Sequence, residues 1–258
     1  MNLHVENISY SYDGKSDLWK NISFTVKKGD VFSIMGANGV GKSTLLNTIV
    51  GFLRPQSGEV YLEENGKRLY SNLDAKMFTE KISYVPQLSD SAYSFDVEDY
   101  ILMGRTPHMG ILAQPNARDR ELTKEIMNQM GIYKIRHRRF NTLSGGQQRQ
   151  AIIARAIVQE PSIIIMDEPT NHLDYGNQFR VIEMIQRLAE KGITVVLTTH
   201  MPEQALYLGH HTGILFQNRL LFGKTQDIIT ERSLEEIYHM KIKLIYVKEV
   251  CRYVCIPE

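Results

Sequence analysis

Cysteine is almost missing: Cys251 and Cys255 are the only two in 258 residues. Two thiols cannot build a disulfide framework, and no histidine is spaced to complete a metal site with them. Within any one strand they would fall on the same face. An excess of charge is also absent, since 30 Lys and Arg stand against 29 Asp and Glu for a formal net charge of +1. That balance excludes a strong overall drive toward nucleic acid or acidic lipid, although a local patch stays open. No apolar run approaches the roughly 18 residues a bilayer crossing needs. The opening MNLHVENISYSYDG has neither a basic region nor an apolar stretch of the secretory kind, so the expectation is a cytosolic protein. Internal repeats and low-complexity tracts are missing too. What remains, 43% apolar and 23% charged, is ordinary for a globular chain that buries a core without covalent staples.

Residues 3–12 and 22–26 alternate apolar and polar side chains and are broken by Asp13-Gly14 and Gly29-Asp30, which predicts strands joined by turns. Three apolar runs, at 31–35, 162–166 and 193–197, read instead as strands buried on both faces. Helical stretches follow them at 42–51, 146–159, 177–191 and 202–208. This alternation predicts a mostly parallel sheet covered by helices. Residues 86–143 break the rhythm with a loop holding Pro107, Gly110 and Pro115, a helical pattern over 118–130 and a basic run at 134–139, read as a solvated face. They look like a helical insertion.

Residues 36–43, Gly-Ala-Asn-Gly-Val-Gly-Lys-Ser, fit the phosphate-binding loop G-x-x-x-x-G-K-[ST]. Glycines let backbone N–H groups turn around a phosphate, and the next helix aims its positive end at the same anion. Lys42 can reach the outer phosphates and Ser43 can ligate Mg²⁺. Further along, Asp167 and Glu168 end a buried strand, at the edge where open α/β sheets bind ligands. Asp167 suits Mg²⁺, through water, and Glu168 can orient or deprotonate an attacking water. Taken alone, the pair could simply begin a solvated loop. Beside a phosphate loop it reads as a hydrolytic site.

Leu143-Ser144-Gly145-Gly146-Gln147 precedes a strongly helical run and offers a second anion-binding helix start, or only an N-cap at Ser144. Such a string arises by chance in about 3 of 10,000 chains of this length, so it is diagnostic. The chain resembles the nucleotide-binding subunit of an ATP-binding cassette (ABC) transporter, whose signature is LSGGQ. The resemblance runs from Tyr12 to His200. It implies an α/β fold: a P-loop NTPase core of mostly parallel sheet with flanking helices, an antiparallel β subdomain and an inserted α-helical subdomain. Residues 1–258 would form one nucleotide-binding domain, with the ATPase core at 1–86 and 144–225, the insertion at 87–143 and a tail at 226–258.

By the same resemblance Tyr12 stacks on adenine, and Gly36, Asn38, Gly39, Gly41, Lys42, Ser43 and Thr44 cradle the phosphates. Gln87 touches Mg²⁺ and the attacking water, and Ser43 and Asp167 complete the metal's protein ligands. Asn171-His172-Leu173-Asp174 stands at the D-loop, where Asn171-His172 replaces the commoner Ser-Ala and is expected to be harmless. His200 meets the γ-phosphate. Ser144, Gly145, Gly146 and Gln147 would close over ATP bound to a second copy, or to a related cassette, in a head-to-tail dimer with two sandwiched nucleotides. No arginine finger is evident, so Ser144 and the helix dipole would supply the charge stabilisation.

Each of these residues has a plainer reading. Tyr12 follows Tyr10 by two and could pack on the same strand face; a glutamine after a proline is usually only a loop residue; a lone histidine is usually a satisfied neighbour. The eleven methionines are scattered and read as core.

The segment 94–108, above all Met103-Gly104-Arg105 with Pro107-His108, resembles importer subunits for iron–siderophore, haem and cobalamin complexes. The region after Gln87 would then receive the permease, with a substrate-binding receptor acting indirectly at a distance. The protein would sit peripherally on the cytoplasmic face of the inner or plasma membrane, without nucleic acid. An exporter subunit is the alternative. A DNA-maintenance ATPase would need hundreds of coiled-coil residues between Lys42 and Ser144, which here lie 102 apart. A stand-alone P-loop kinase leaves LSGGQ unexplained.

Overall fold

The computed structural model describes residues 1–87, 94–110 and 113–258. Strands β1 (Asn2–Tyr10) and β2 (Trp19–Val26) pair antiparallel and lead into β3 (Val31–Met35), whose five residues are all buried. Helix α1 (Lys42–Ile49) follows, then β4 (Ser57–Glu64), β5 (Lys67–Tyr70), α2 (Ala75–Lys81) and β6 (Ile82–Val85). Next come α3 (Val97–Leu102) and α4 (Ala117–Gln129), after which the chain runs into α5 (Gly145–Val158). Then come β7 (Ile163–Met166), α6 (Tyr175–Glu190), β8 (Thr194–Thr198), α7 (Pro202–Leu208), β9 (His211–Phe216) and β10 (Arg219–Lys224). After β10 come α8 (Thr225–Ile228), α9 (Glu231–Tyr238), β11 (Ile242–Val247) and β12 (Arg252–Pro257).

The central sheet has the order β10-β9-β3-β8-β7-β6, parallel except for the β9–β10 hairpin. Its strands are apolar throughout because both faces are covered. In β7, Ile163 and Ile165 pack toward one side and Ile164 and Met166 toward the other. The first side meets α1 and a separate antiparallel sheet, β2-β1-β4-β5, through Trp19, Phe24, Leu45 and Leu46. The second meets α5 and α6 through Ile153, Ile182 and Ile185. Each fully buried side chain of this size contributes roughly 1.5–3 kcal/mol relative to exposure.

Strand order decides where the chemistry lies. The segments leaving the carboxyl ends of β3, β8, β7 and β6, four neighbours in the sheet, contain Lys42, His200, Glu168 and Gln87 respectively. Residues scattered along the sequence therefore converge on one sheet edge.

Several expectations are corrected. Strand β1 stops at Tyr10, so Tyr12 lies in the turn beyond it rather than on the strand. Cys251 and Cys255 do not share a strand face: Cys251 is exposed in the turn before β12 with φ of 51°, and only Cys255 is on the strand. The importer resemblance of Met103-Gly104-Arg105 is not among these corrections; the segment packs against α5. A Cβ on Gly104 would sit 2.2 Å from the Arg155 carbonyl, so only glycine lets this segment lie directly on α5. Arg105 then bridges Asp119 at 2.8 Å, Glu160 at 2.8 Å and the Val158 carbonyl at 2.9 Å. The stretch just after Gln87, assigned by resemblance to the membrane partner, falls partly outside the described residues.

Candidate functional site

The phosphate loop is built around close approaches that only glycine permits. Gly36 has φ of 153°, and a Cβ there would lie 2.6 Å from the Leu215 carbonyl oxygen of β9. Gly41, at φ of 101°, is pressed against Leu18, with a Cβ 2.8 Å from that side chain. Helix α1 starts immediately after, and its first residue, Lys42, bends back to donate to the carbonyls of Gly36 at 2.9 Å and Ala37 at 3.1 Å. Burial pushes the Lys42 amine below its ordinary value, while Glu168 and then Asp167 pull the other way.

The two acids have separate surroundings. Asp167 is buried under the sheet edge, where the Thr198 hydroxyl donates to its Oδ1 at 2.6 Å. That same hydroxyl accepts the Glu168 N–H at 2.8 Å, so one side chain fixes both acids. Burial, and next the Asp167 charge, raises the phenol of the neighbouring Tyr84 above its ordinary value. Glu168 itself sits in the left-handed region, φ of 43°, which turns its side chain away from the strand. Its Oε1 lies 3.8 Å from Lys42 Nζ and 3.9 Å from His200 Nδ1. Its Oε2 accepts from Gln87 Nε2 at 3.4 Å and from Asn171 Nδ2. One carboxylate thus touches the phosphate loop and the segments that follow β6, β7 and β8.

Around these groups lies a cleft of about 610 Å³. Tyr12, Asn38, Gly39, Gly41, Lys42, Ser43, Thr44, Gln87, Glu168 and His200 all line it, together with Leu18, Asn171 and His172. Tyr12 is 71% exposed, yet its hydroxyl is 2.7 Å from Thr44 Oγ1, and its ring stands edge-on to Tyr10 with centroids 5.1 Å apart. An aromatic face beside a phosphate cradle suits a purine nucleotide. A larger groove, about 830 Å³ between α4, α5 and α6, touches only Gly146 among the expected site residues.

The family model described as ABC transporter matches residues 19–171. The molybdate import ATP-binding protein MolC of Haemophilus influenzae is 34% identical over 239 residues, covering 92% of this chain and 88% of that protein. The manganese transport system ATP-binding protein MntA of Synechocystis is 32% identical, covering 91% and 89%. Among solved structures, an inward-facing transporter provisionally assigned to the metal-chelate type superposes with a TM-score of 0.87 at 32% identity, covering 99% of this chain and 97% of its counterpart. The chain belongs to the ABC transporter family. As an ABC ATP-binding subunit it binds ATP and is an ATPase coupled to transport, the part of a transporter complex that works with membrane subunits. None of its helices among the described residues is long and apolar enough to cross a membrane.

The ABC signature lies apart from the cleft. Ser144 caps α5 in a reciprocal box: its hydroxyl accepts the Gln147 N–H at 3.4 Å, and the Gln147 side-chain oxygen accepts the Ser144 N–H at 3.2 Å. Neither Ser144, Gly145, Gly146 nor Gln147 reaches the cleft that holds Lys42. Gly146 instead lies against Asn177 of α6, where a Cβ would be 2.6 Å from the amide nitrogen.

Three contributors escaped the sequence reading. Thr198 lies one residue beyond the apolar run at 193–197, at the end of β8, and its hydroxyl links the two acids. Asn171, expected to be a harmless variant, bonds directly to Glu168. Arg149 is fully buried behind both loops, donating to the Pro86 carbonyl at 2.8 Å and the Glu168 carbonyl at 3.1 Å. A hydroxyl, an amide or an arginine in these stretches carries no spacing signal. Only the pairing of β7 with β8, and of α5 with the sheet edge, brings them to the site.

Proposed function

We propose that this chain is the ATP-hydrolysing subunit of a membrane importer for a metal ion or metal chelate, working as a head-to-tail pair of cassettes. The observation that supports it best is the Glu168 carboxylate, which faces Lys42, Gln87 and His200 across one cleft. In this reading residues 36–44 hold the phosphates, and Tyr12 stacks on adenine. Gln87 and His200 frame the γ-phosphate and the attacking water, which Glu168 orients and deprotonates. Residues 87–143 form the moving insertion, residues 1–86 and 144–225 the ATPase core and 226–258 the tail.

The donor set fits Mg²⁺. Ser43 and Gln87 line the cleft, and the buried Asp167, which does not line it, is near enough for its charge to act on Lys42; hydroxyl, amide and carboxylate all offer hard oxygens of the kind this ion prefers. Bound by Ser43, Gln87 and Asp167, the ion would neutralise charge on the phosphates.

Because the signature residues do not line the chain's own cleft, the site is read as completed by Ser144, Gly145, Gly146 and Gln147 of a second cassette, identical or related. Closure of the pair would move the insertion and thereby the permease docked on it. On the core side of the Gln87 loop, exposed Phe52 supports a docking surface: it stands edge-on to Tyr84, on the strand that leads to Gln87, with centroids 5.6 Å apart. The protein would then lie peripherally on the cytoplasmic face of the membrane.

Import rather than export is favoured by the molybdate import relative, and a metal or metal-chelate cargo by the manganese transport relative and the metal-chelate structural match. Iron–siderophore, haem and cobalamin complexes are the chelates favoured by the segment 94–108. The test is to purify the chain with its co-encoded membrane protein and measure ATP turnover with candidate metal-loaded receptors. Stimulation by one loaded receptor is expected. Stimulation by a drug-like or lipid substrate with no receptor would favour an exporter instead.

A further inference from the structure

Arg149 sits one turn into the helix that begins with the signature, and its side chain has no access to solvent. A guanidinium with no water around it is strongly unfavourable unless its donors are used. Here one terminal nitrogen donates to the Pro86 carbonyl at 2.8 Å and the other to the Glu168 carbonyl at 3.1 Å. Its Nε has no hydrogen-bond partner among the described residues. Burial pulls the group down to about 10, against the opposing charge of Asp167. It stays a cation at neutral pH.

The two carbonyls it holds are not arbitrary. Pro86 immediately precedes Gln87, and Glu168 is the residue whose own backbone is turned into the left-handed region. The side chains attached to those two held segments are the ones that meet, Gln87 Nε2 to Glu168 Oε2 at 3.4 Å. A planar fork with two parallel donors spans two carbonyls in a way that a single ammonium cannot.

We propose that Arg149 is a positioning residue for hydrolysis: it ties the signature helix to the backbone of Glu168 and of the Gln87 loop, so that movement of the helix sets the geometry of the water-activating pair. It touches neither nucleotide nor water. The proposal rests on the reading of Glu168 as the group that activates water.

The test uses the full chain co-purified with its membrane subunits. Arg149→Gln keeps one amide donor and removes the charge, and Arg149→Lys keeps the charge and removes the fork. Both are expected to lower kcat by about ten-fold or more while KM for ATP stays within about two-fold. In a Glu168→Gln background, Arg149→Gln is expected to slow the residual turnover no further, because the group it positions is already gone. Melting curves separate this from global damage, and if the Gln variant fails to fold, the Lys variant decides. A folded variant with wild-type kcat, a rise in KM alone, or a full multiplicative loss in the double variant would overturn the proposal. Wild-type turnover in Glu168→Gln would bring down the reading of Glu168 and this proposal with it. A stalled Glu168→Gln beside a fully active Arg149→Gln would bring down this proposal alone.

Discussion

Gln87 and Glu168 stand 81 positions apart in the chain and meet side chain to side chain, the amide Nε2 3.4 Å from the carboxylate Oε2. They meet because β6 and β7 are hydrogen-bonded neighbours running parallel, so the residues beyond their carboxyl ends emerge together. A water held between an amide and a carboxylate is oriented by one and deprotonated by the other.

Replacing that carboxylate should separate binding from chemistry. Glu168→Gln is expected to bind ATP normally and to accumulate as a closed dimer while turnover drops by about 10²–10⁴. Equilibrium binding together with single-turnover kinetics reads both quantities. Retained turnover would remove Glu168 from the base role.

Lys42 reaches back over its own loop to the Gly36 and Ala37 carbonyls, in the position where phosphates would be held. Lys42→Ala is therefore expected to weaken nucleotide binding itself, measured by titration calorimetry. Unchanged affinity would count against the phosphate-cradle reading.

Tyr12 offers a largely exposed ring at the cleft rim. Tyr12→Ala should lose about 1–3 kcal/mol of ATP affinity, in the range of base–aromatic stacking. Tyr12→Phe keeps the ring, and loses only the hydroxyl contact to Thr44, so it should stay near wild type. Equal losses in both variants would point to the hydroxyl rather than to stacking.

These site residues were legible for different reasons. Lys42 and Ser43 announce themselves through the glycine spacing of a phosphate loop, Ser144 through the LSGGQ string, and Glu168 as an acid at the end of a buried strand. The buried strands β3, β7 and β8 announce themselves as unbroken apolar runs. Strands β4 and β5 and helix α2 escaped notice because charged residues interrupt their patterns, as expected where one face is solvated. Cys251 was misplaced because its neighbours alternate like a strand, while the backbone breaks there into a tight turn. Arg149 was invisible because nothing in a sequence distinguishes a buried arginine from a solvated one on the same helix.

The buried Arg105–Asp119 pair makes a pH-dependent prediction. Burial alone would raise the Asp119 carboxyl, but the Asn116 N–H and then Arg105 hold it below its ordinary value. A depressed carboxyl contributes stability above the unfolded-state value and loses it as pH falls through the folded one. Arg105→Met leaves that carboxylate buried without its cation, expected to cost about 3–5 kcal/mol at pH 7. The gap to wild type should narrow at about pH 4, where the stranded carboxyl takes up a proton. Urea midpoints at the two pH values check this.

The two thiols should differ in reactivity. Burial, and then the Glu203 charge, pushes Cys255 up to about 12, so it is a neutral thiol at pH 7. Cys251 is exposed. Brief iodoacetamide treatment followed by peptide mass spectrometry should label Cys251 first, and faster labelling of Cys255 would contradict the packing of the tail.

The most direct test is ATP turnover per chain across a dilution series of the purified protein, with mass photometry reporting the dimer fraction. Since Ser144 lies outside the cleft that holds Lys42, the rate per chain should fall in step with the dimer and vanish in the monomer. Full turnover by strictly monomeric protein would contradict the account.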